Sequence, residues 1–570
     1  MRNNIIKIVK NYKSFSLSTQ EKCACVGLSV FFTFCMIFGS AFDTDNSWIP
    51  VFAMPWNSIC RTILWFVFFI LMVTTIWKLW NYWANKNKSV SMATGRHAVF
   101  FNKHPFWITF FIFFLSYIPY FIAFYPGILM GDSVDQILQG FNLPDYTSAH
   151  LNLLNPSLYL NQHHPVIHTL LLTTMLKIGK VFWGSYQTGL FIYAMLQSIT
   201  MICAFSYVIE DLTERNFPIQ GRILLILYFI LAPRIQNYMF LISKDVLYTA
   251  WLLVFLISYM HILEGEEKDE IKSDLFWFSA MGILSFRNDG KYVLLITMLV
   301  GIALIKKVRP YLVIMLSFAM IVTIILSNTF TSVKITPPST REILSIPFQQ
   351  TARYVSTYPE EVTEEEKECI SKVLDYDVLL TDYIPGNADP VKDSFKKTAT
   401  REDLFNYFVT WGEMLGKHPG VYVQASMNNL YEYFYPGVFT CMRYTEEFSI
   451  QKMNELNKQG VFVGLHFSYP ENTHWLRQLY EAWDFIFLIP GLSLFTTPAF
   501  YTWIVLFMLV YWITKQEKEN LALTVPLGVI LLICLAGPCN GWYFRYLFPI
   551  YVCIFPLICI FFCKKQNYKP

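Results

Sequence analysis

The sequence predicts an all-α polytopic membrane protein with about twelve helical spans and one large water-exposed domain between its late spans. Composition is the first reason. Of 570 residues, 54% are hydrophobic, 18% aromatic and only 15% charged, whereas a soluble domain carries about 25% charged residues. The second is that apolar residues come in continuous blocks, such as 24–42, 63–77 and 311–326, and not at amphipathic spacing. Crossing a ~30 Å hydrocarbon core takes about 20 apolar residues in a helix. Only helices and closed barrels satisfy backbone polar groups in lipid, and continuous apolar runs select helices. The third is that the charges lie between these blocks, segregated by side of the membrane.

The positive-inside rule then orients the chain. Arg2, Lys7, Lys10 and Lys13 precede the first block, and Asp43 and Asp45 follow it. This predicts a cytoplasmic N-terminus, with 24–41 a retained signal anchor, since many spans follow it. A second span near 59–80 leads to a basic inner loop with Lys86, Lys88, Arg96 and Lys103, and a third, 105–124, delivers the polar stretch 131–165 to the outer face. Lys306, Lys307 and Arg309, then Lys515 and Lys518, and finally Lys564 and Lys565 mark inner positions. Candidate spans between these anchors are 188–209, 222–241, 245–263, 274–287, 290–307 and 309–328. Parity holds if 166–183, which carries Lys177 and Lys180, lies along the outer interface. The final spans are 498–514, 521–538 and 545–563, and 484–497, broken by Pro490-Gly491, reads as re-entrant or interfacial.

The resulting division is an N-terminal two-span region (1–104), a membrane core (105–328) with an outer-face loop at 125–187, a mainly helical extracytoplasmic domain (329–497) and a C-terminal three-span region (498–570). The domain is rich in Glu, Lys, Tyr and Pro, and Thr363 and Glu366 stand at capping-box spacing. Among the twelve cysteines no CxxC or Cys/His metal spacing occurs. Cys369 and Cys441 fall in the domain and could pair on an oxidising side, or stay as two thiols.

Charges at the mouths of spans are the informative residues, because ionisable groups at membrane depth are costly and mark function. Under the parity count five clusters share the outer side. They are Asp132 and Asp135 in Gly131-Asp132-Ser133-Val134-Asp135-Gln136, His163-His164-Pro165, Ser243-Lys244-Asp245, Arg287-Asn288-Asp289-Gly290-Lys291, and Asn540 to Tyr546 with Arg545. Plainer readings compete with each. Asp132 and Asp135 suit an interfacial helix start, Lys244-Asp245 a self-neutralising pair, Arg287 and Asp289 the polar turn of a hairpin, and Arg545 with Trp542, Tyr543 and Tyr546 a headgroup anchor in an aromatic belt. Gln349, Gln350 and Arg353 read as structural.

The order of these elements resembles the GT-C superfamily, the membrane-embedded glycosyltransferases that include protein mannosyltransferases and the bacterial lipid A aminoarabinose transferase. An acid follows a span, then come a His-Pro helix start, a Ser-x-Asp at the mouth of a later span, and an Arg-Tyr-x-x-Pro opening the last span. The resemblance covers roughly 105–305 with a short echo at 540–550. The family's first-loop acid matches Asp132, its His-Pro-Pro element matches His164-Pro165, and its second-loop acid matches Asp245. The chain departs from the pattern at Ser133, where an acidic pair is usual, and at Val166, where a second proline is usual. The domain, with Ser345 to Gln350, is more similar to an uncharacterised family of bacterial multi-spanning proteins.

The resemblance implies transfer of a sugar from a polyprenyl-phosphate donor to an envelope glycan or lipid acceptor on the outer face. Such transfer needs a carboxylate to take the acceptor proton and cations or a metal for the departing phosphate. Asp132 is the expected base and Asp245 its catalytic partner. Lys244 and Arg545 are expected to bind phosphate, with His163, His164, Asp135 and Arg287 around the substrate. A divalent metal is optional, since no full ligand set can be read, and nothing points to nucleic acid. Two other classes remain open: a polysaccharide polymerase or exporter, and a non-catalytic envelope scaffold.

Overall fold

The computed structural model describes residues 16–86, 101–265, 270–438, 446–457, 469–537 and 543–563. Among these residues the fold is helical, with a few isolated β-bridges. Ten helices are long and apolar enough to cross a membrane, or eleven if the bent pair Ile219–Leu231 and Pro233–Phe240 counts as one span. The chain is a multi-pass helical membrane protein. Three of the spans expected in the count of about twelve are not single helices of that length. The segment 222–241 is not one straight span: its helices meet at 57°. Pro233 has no N–H to donate and its ring obstructs the preceding turn, so Ala232 is extended and a new helix starts at the proline. Gly290–Leu304 is apolar but has only 15 residues, and Glu270–Phe286 has 17.

Burial ranks the helices. Lys244–Glu264 is the axis of the bundle, with 89% of its apolar window buried. It packs against Tyr186–Glu214, Glu270–Phe286, Lys518–Ala536 and Tyr543–Phe561. Pro55–Ala84 and Arg309–Ser332 bury only 11% and 17%, so most of their apolar surface is left for lipid. The first helix, Thr19–Asp45, starts in a capping box: Ser18 N–H donates to Glu21 Oε2 at 2.8 Å, and Glu21 N–H to Ser18 Oγ at 3.2 Å. Glu21 also accepts from Trp77 Nε1 and Asn81 Nδ2, both at 3.0 Å, and so fastens the first span to the second.

Val166–Trp183 qualifies as a span by length and composition, and it packs on the start of Tyr186–Glu214. Gly179 and Gly189 meet backbone to backbone, which any Cβ would prevent, and Tyr193 touches His168. Farther along Tyr186–Glu214, Gln197 donates to Leu241 O at 2.7 Å, and Asp211 meets His261 Nε2 at 2.7 Å at the opposite end of Lys244–Glu264. The His168 end of Val166–Trp183 thus lies near the Lys244 mouth of the axial helix.

The described residues of 329–497 contribute to two hydrophobic clusters. The first part of the segment has its own, built from Phe348, Tyr354, Ile370, Leu379, Tyr407, Tyr422 and neighbours. From Leu430 onward, Tyr433, Met453, Leu456 and Tyr469 join the main membrane core. A charged clasp closes within the first part and meets the loop before Val166–Trp183 through Tyr146. Arg341 Nη1 lies 3.0 Å from Asp393 Oδ1, Lys392 Nζ lies 3.1 Å from Glu342 Oε2 and 2.8 Å from Asp389 Oδ1, and Tyr146 donates to Asp393. Gln162 N–H adds a bond to Thr336 O at 2.8 Å. Gln350 bonds Ser426 and Trp411 and Arg353 bonds Asn46 O, all within or beside this part. Cys369 is free, and Cys441 lies outside the described residues, as do the basic clusters at both termini and Lys88 and Arg96 of the loop after the second span.

Candidate functional site

One backbone crossing assembles the site. After helix Pro105–Ala123 the chain turns at Gly127, whose φ of +144° favours glycine and whose Cβ would stand 3.0 Å from Ile242 Cδ1. Ile128 then pairs with the extended link before the axial helix: Ile128 N–H donates to Phe240 O and Ile242 N–H to Ile128 O, both at 2.9 Å. This sets helix Gly131–Gly140 beside Ser243-Lys244-Asp245. Ser133 fixes its rotation by donating to Ile242 O. Asp132 and Asp135, three residues apart, therefore share a face, and Gln136 turns inward to His168 at 2.8 Å and Thr169 at 3.0 Å.

Other elements supply the remaining groups. Ser243 caps the axial helix, accepting from Asp245 N–H at 3.1 Å. Its hydroxyl donates back to Asp245 Oδ2 at 2.9 Å, and Asp245 in the first turn suits the positive end of the helix dipole. Pro165 starts Val166–Trp183 and holds His164 out of the helical region. Asn161 Oδ1 accepts His163 N–H at 3.0 Å. Asn288 reaches the carbonyls of Gln162 and His163 at 2.8 and 3.1 Å, which ties the Arg287 turn to the histidine loop.

The charged side chains form one continuous chain. Lys244 Nζ donates to Asp132 Oδ2 at 2.8 Å. Arg545 grips the same carboxylate with both terminal nitrogens, Nη1 to Oδ1 at 3.2 Å and Nη2 to Oδ2. Its Nε donates to Asp245 Oδ2 at 3.1 Å. Arg287 Nη1 donates to Asp245 Oδ1 at 2.9 Å, and its Nε to Asp289 at 2.8 Å. Tyr546 lies between the two guanidinium groups, 5.9 Å from that of Arg287 and 5.7 Å from that of Arg545. Lys244 also meets His164 Nδ1 at 3.1 Å, and His164 Nε2 lies 3.9 Å from Asp135 Oδ2.

All eight residues singled out from the sequence thus stand around one mouth. Asp132, Lys244, Asp245, Arg287 and Arg545 are in direct contact, His164 and Asp135 adjoin them, and His163 neighbours His164 at 4.7 Å between ring centres. Arg287 makes the local hairpin bond to Asp289 and also reaches the centre. Sequence reasoning missed Gln136, His168 and Tyr193, a buried relay in which Tyr193 OH meets His168 Nε2. Its readable signal is His168, four residues after His164. Residues 538–542, part of the Asn540 to Tyr546 cluster, lie outside the described residues.

The environments of the loop groups differ. Burial alone would raise the Asp132 carboxyl, but Arg545, Lys244 and His164 hold it well below the usual carboxylate range. Burial, with Lys244 beside it, keeps His164 well below the usual imidazole value, and burial lowers His163. Asp135 moves the other way: burial, then the charges of Asp145 and Asp132, push it up to about 8. Among the described residues no group of three or more His, Cys, Asp or Glu side chains is arranged to hold a metal ion. The groups placed to balance an anion are lysine and arginine.

A family model described as a family of unknown function (DUF6020) matches residues 10–569. The chain belongs to that family. No curated protein and no solved structure matches it. For this member of DUF6020, function has to be argued from the site itself.

Proposed function

We propose that the chain is a membrane-embedded glycosyltransferase of GT-C type. It would move a sugar from a polyprenyl-phosphate donor to a cell-envelope acceptor, at the outer face of the cell membrane. The observation that carries this reading is the convergence of Lys244 and the planar fork of Arg545 on one carboxylate, Asp132. A phosphate offers the same paired, anionic oxygens and can share the two cations with that carboxylate. Lys244 opens a 21-residue helix, whose N-terminal dipole favours the same anion. Asp245, braced by Arg287 and Ser243, holds the Arg545 guanidinium in plane through its Nε.

Ionisable groups in so buried a place are costly unless paired and useful. The ordered matches of Asp132, His164-Pro165 and Asp245 to the GT-C pattern supply the use. The lysines and arginines at 306–309 and 515–518 support an outward mouth, with both termini cytoplasmic and 329–497 extracytoplasmic. In the reaction, a hydroxyl of the acceptor attacks the anomeric carbon. The bond to the phosphate oxygen breaks with its electron pair, and Lys244 and Arg545 hold the anion that leaves. Asp132, gripped by both cations, is their counter-ion and a weak base, which shifts the proton-accepting role expected of it to another group.

Deleting the gene tests the reading. A lipid-linked sugar should accumulate in the deletion strain and return to its normal level on complementation with wild type. It should stay elevated on complementation with a Lys244→Ala/Arg545→Ala double variant. An unchanged lipid-linked sugar pool would favour the scaffold, and accumulation of finished polymer on the cytoplasmic side would favour the exporter.

A further inference from the structure

Four carboxylates line the cluster, and three have lysine or arginine partners at ion-pair distance: Asp132 with Lys244 and Arg545, Asp245 with Arg545 and Arg287, Asp289 with Arg287. Among the described residues Asp135 has no lysine or arginine that close, and its neighbour is His164. If all four were ionised, the lysines and arginines paired with them at these distances, among the described residues, would be Lys244, Arg287 and Arg545. One negative charge would then be in excess in a buried place, and a proton on Asp135 removes it.

His164 is poised to work with it. An ammonium has hydrogens to give and nothing to accept with, so the contact to Lys244 Nζ makes His164 Nδ1 the acceptor and leaves the ring proton on Nε2. That Nε2 is buried, has no hydrogen-bond partner among the described residues, and lies 3.9 Å from Asp135 Oδ2. The gap is too long for a direct hydrogen bond. An oxygen placed ~2.8 Å from each group would bridge it.

We propose that Asp135 and His164 are the proton-exchanging pair of this site: His164 Nε2–H positions the acceptor hydroxyl and Asp135 takes its proton, while Asp132 stays a fixed counter-ion. The inference rests on the transferase reading for the identity of the hydroxyl. As the acceptor oxygen bonds the anomeric carbon, its proton passes to the Asp135 carboxylate. The bond from that carbon to the phosphate oxygen breaks, its electron pair leaves with the phosphate, and the proton on Asp135 then goes to water.

The groups facing Asp135 are few. On its own side are Asp132, Asp145 and the Tyr146 N–H. From the helix Glu446–Asn457, which packs against Gly131–Gly140, comes Lys452, itself paired with Glu455 at 2.8 Å. From the loop leading into Val166–Trp183 comes His164, held neutral. With the carboxyl pushed up to about 8, the ionised base becomes available as pH rises through that value, so transfer accelerates with pH there.

The test pairs a readout that needs no reaction with one that does. Infrared difference spectra of the purified full-length protein in lipid nanodiscs follow the carbonyl stretch of protonated carboxylic acids against pH. Wild type should lose such a band as pH rises through about 8. Asp135→Asn should lack that band, Asp132→Asn should keep it, and Asp135→Glu should restore one. In membranes, transfer should rise over the same pH window, fall roughly 10²–10⁴-fold in Asp135→Asn, and recover in part in Asp135→Glu. A band that persists in Asp135→Asn and vanishes in Asp132→Asn would overturn the proposal. So would an Asp135→Asn protein with the wild-type rate and pH profile. If wild type consumes no lipid-linked sugar at any pH, the transferase reading fails, and the infrared band still decides where the proton resides.

Discussion

Replacing Arg545 with alanine separates the binding role of the site from its role in the fold. The change removes two bonds to Asp132 and one to Asp245, at 3.2 Å, at the short Nη2 contact and at 3.1 Å. Orphaning a buried charge costs about 3–5 kcal/mol, but neither carboxylate is orphaned here. Asp132 keeps Lys244 at 2.8 Å, and Asp245 keeps Arg287 and Ser243, both at 2.9 Å. The stability loss should therefore be smaller, about 1–2 kcal/mol, and the protein should still insert and elute as one species in detergent. The donor loses a charge-assisted contact of about 1.5–3 kcal/mol, which is a rise of roughly 10- to 150-fold in its KM at 1.36 kcal/mol per decade. Arg545→Lys, which keeps the charge but not the planar fork, should fall between. The assay is transfer from radiolabelled polyprenyl-phosphate sugars at varied donor concentration, with thermal unfolding of the same samples. A donor KM equal to wild type in a folded Arg545→Ala protein would refute the assignment of Arg545 to the phosphate.

Three further outcomes follow from particular contacts. Gly127→Ala forces a side chain into a left-handed position against Ile242, so it should cost about 1–3 kcal/mol, read as a lower unfolding midpoint, and an unchanged midpoint would mean the turn adapts. The Glu342 carboxyl, raised by burial but lowered further by Lys392, His163 and Arg341, sits below its usual value. Its contribution to the clasp is thus present above about pH 4.3 and lost as pH falls through the lowered value. Lys392→Met should move the onset of acid-induced proteolysis near residues 336–393 to higher pH. For orientation, a membrane-impermeant thiol reagent applied outside should label Thr340→Cys and Thr400→Cys and leave Gln516→Cys untouched, and labelling at 516 would invert the topology.

The membrane class was legible because hydrocarbon excludes charge. Runs such as 311–326 leave no other solvent for that helix, and the same exclusion pushes Asp132, Lys244, Asp245 and Arg287 to span ends, where parity could group them. The partners were not legible. Arg545 finds Asp132 across 413 positions, by way of the Ile128 crossing, which no local pattern announces. The sequence set Asp132 and Asp135 on one turn and favoured Asp132 as the base. Only the placement of cations separates them, one clamped and the other left to the histidine. The break at Ala232-Pro233 was written in the sequence, but the apolar run on either side hid it. The division of 329–497 was not, because the residues from Leu430 onward that join the membrane core are no more apolar than those of the separate core before them.

The most direct test of the central claim is transfer itself, measured in membranes from cells overproducing the protein and supplied with radiolabelled polyprenyl-phosphate sugars. The account predicts that wild-type membranes move label from the lipid carrier to an envelope acceptor. Membranes carrying equal amounts of the Lys244→Ala/Arg545→Ala protein should do so at least ~100-fold more slowly, since each lost cation contributes about 1.5–3 kcal/mol. Equal transfer by the two, or no consumption of any lipid-linked sugar by wild type, would contradict it.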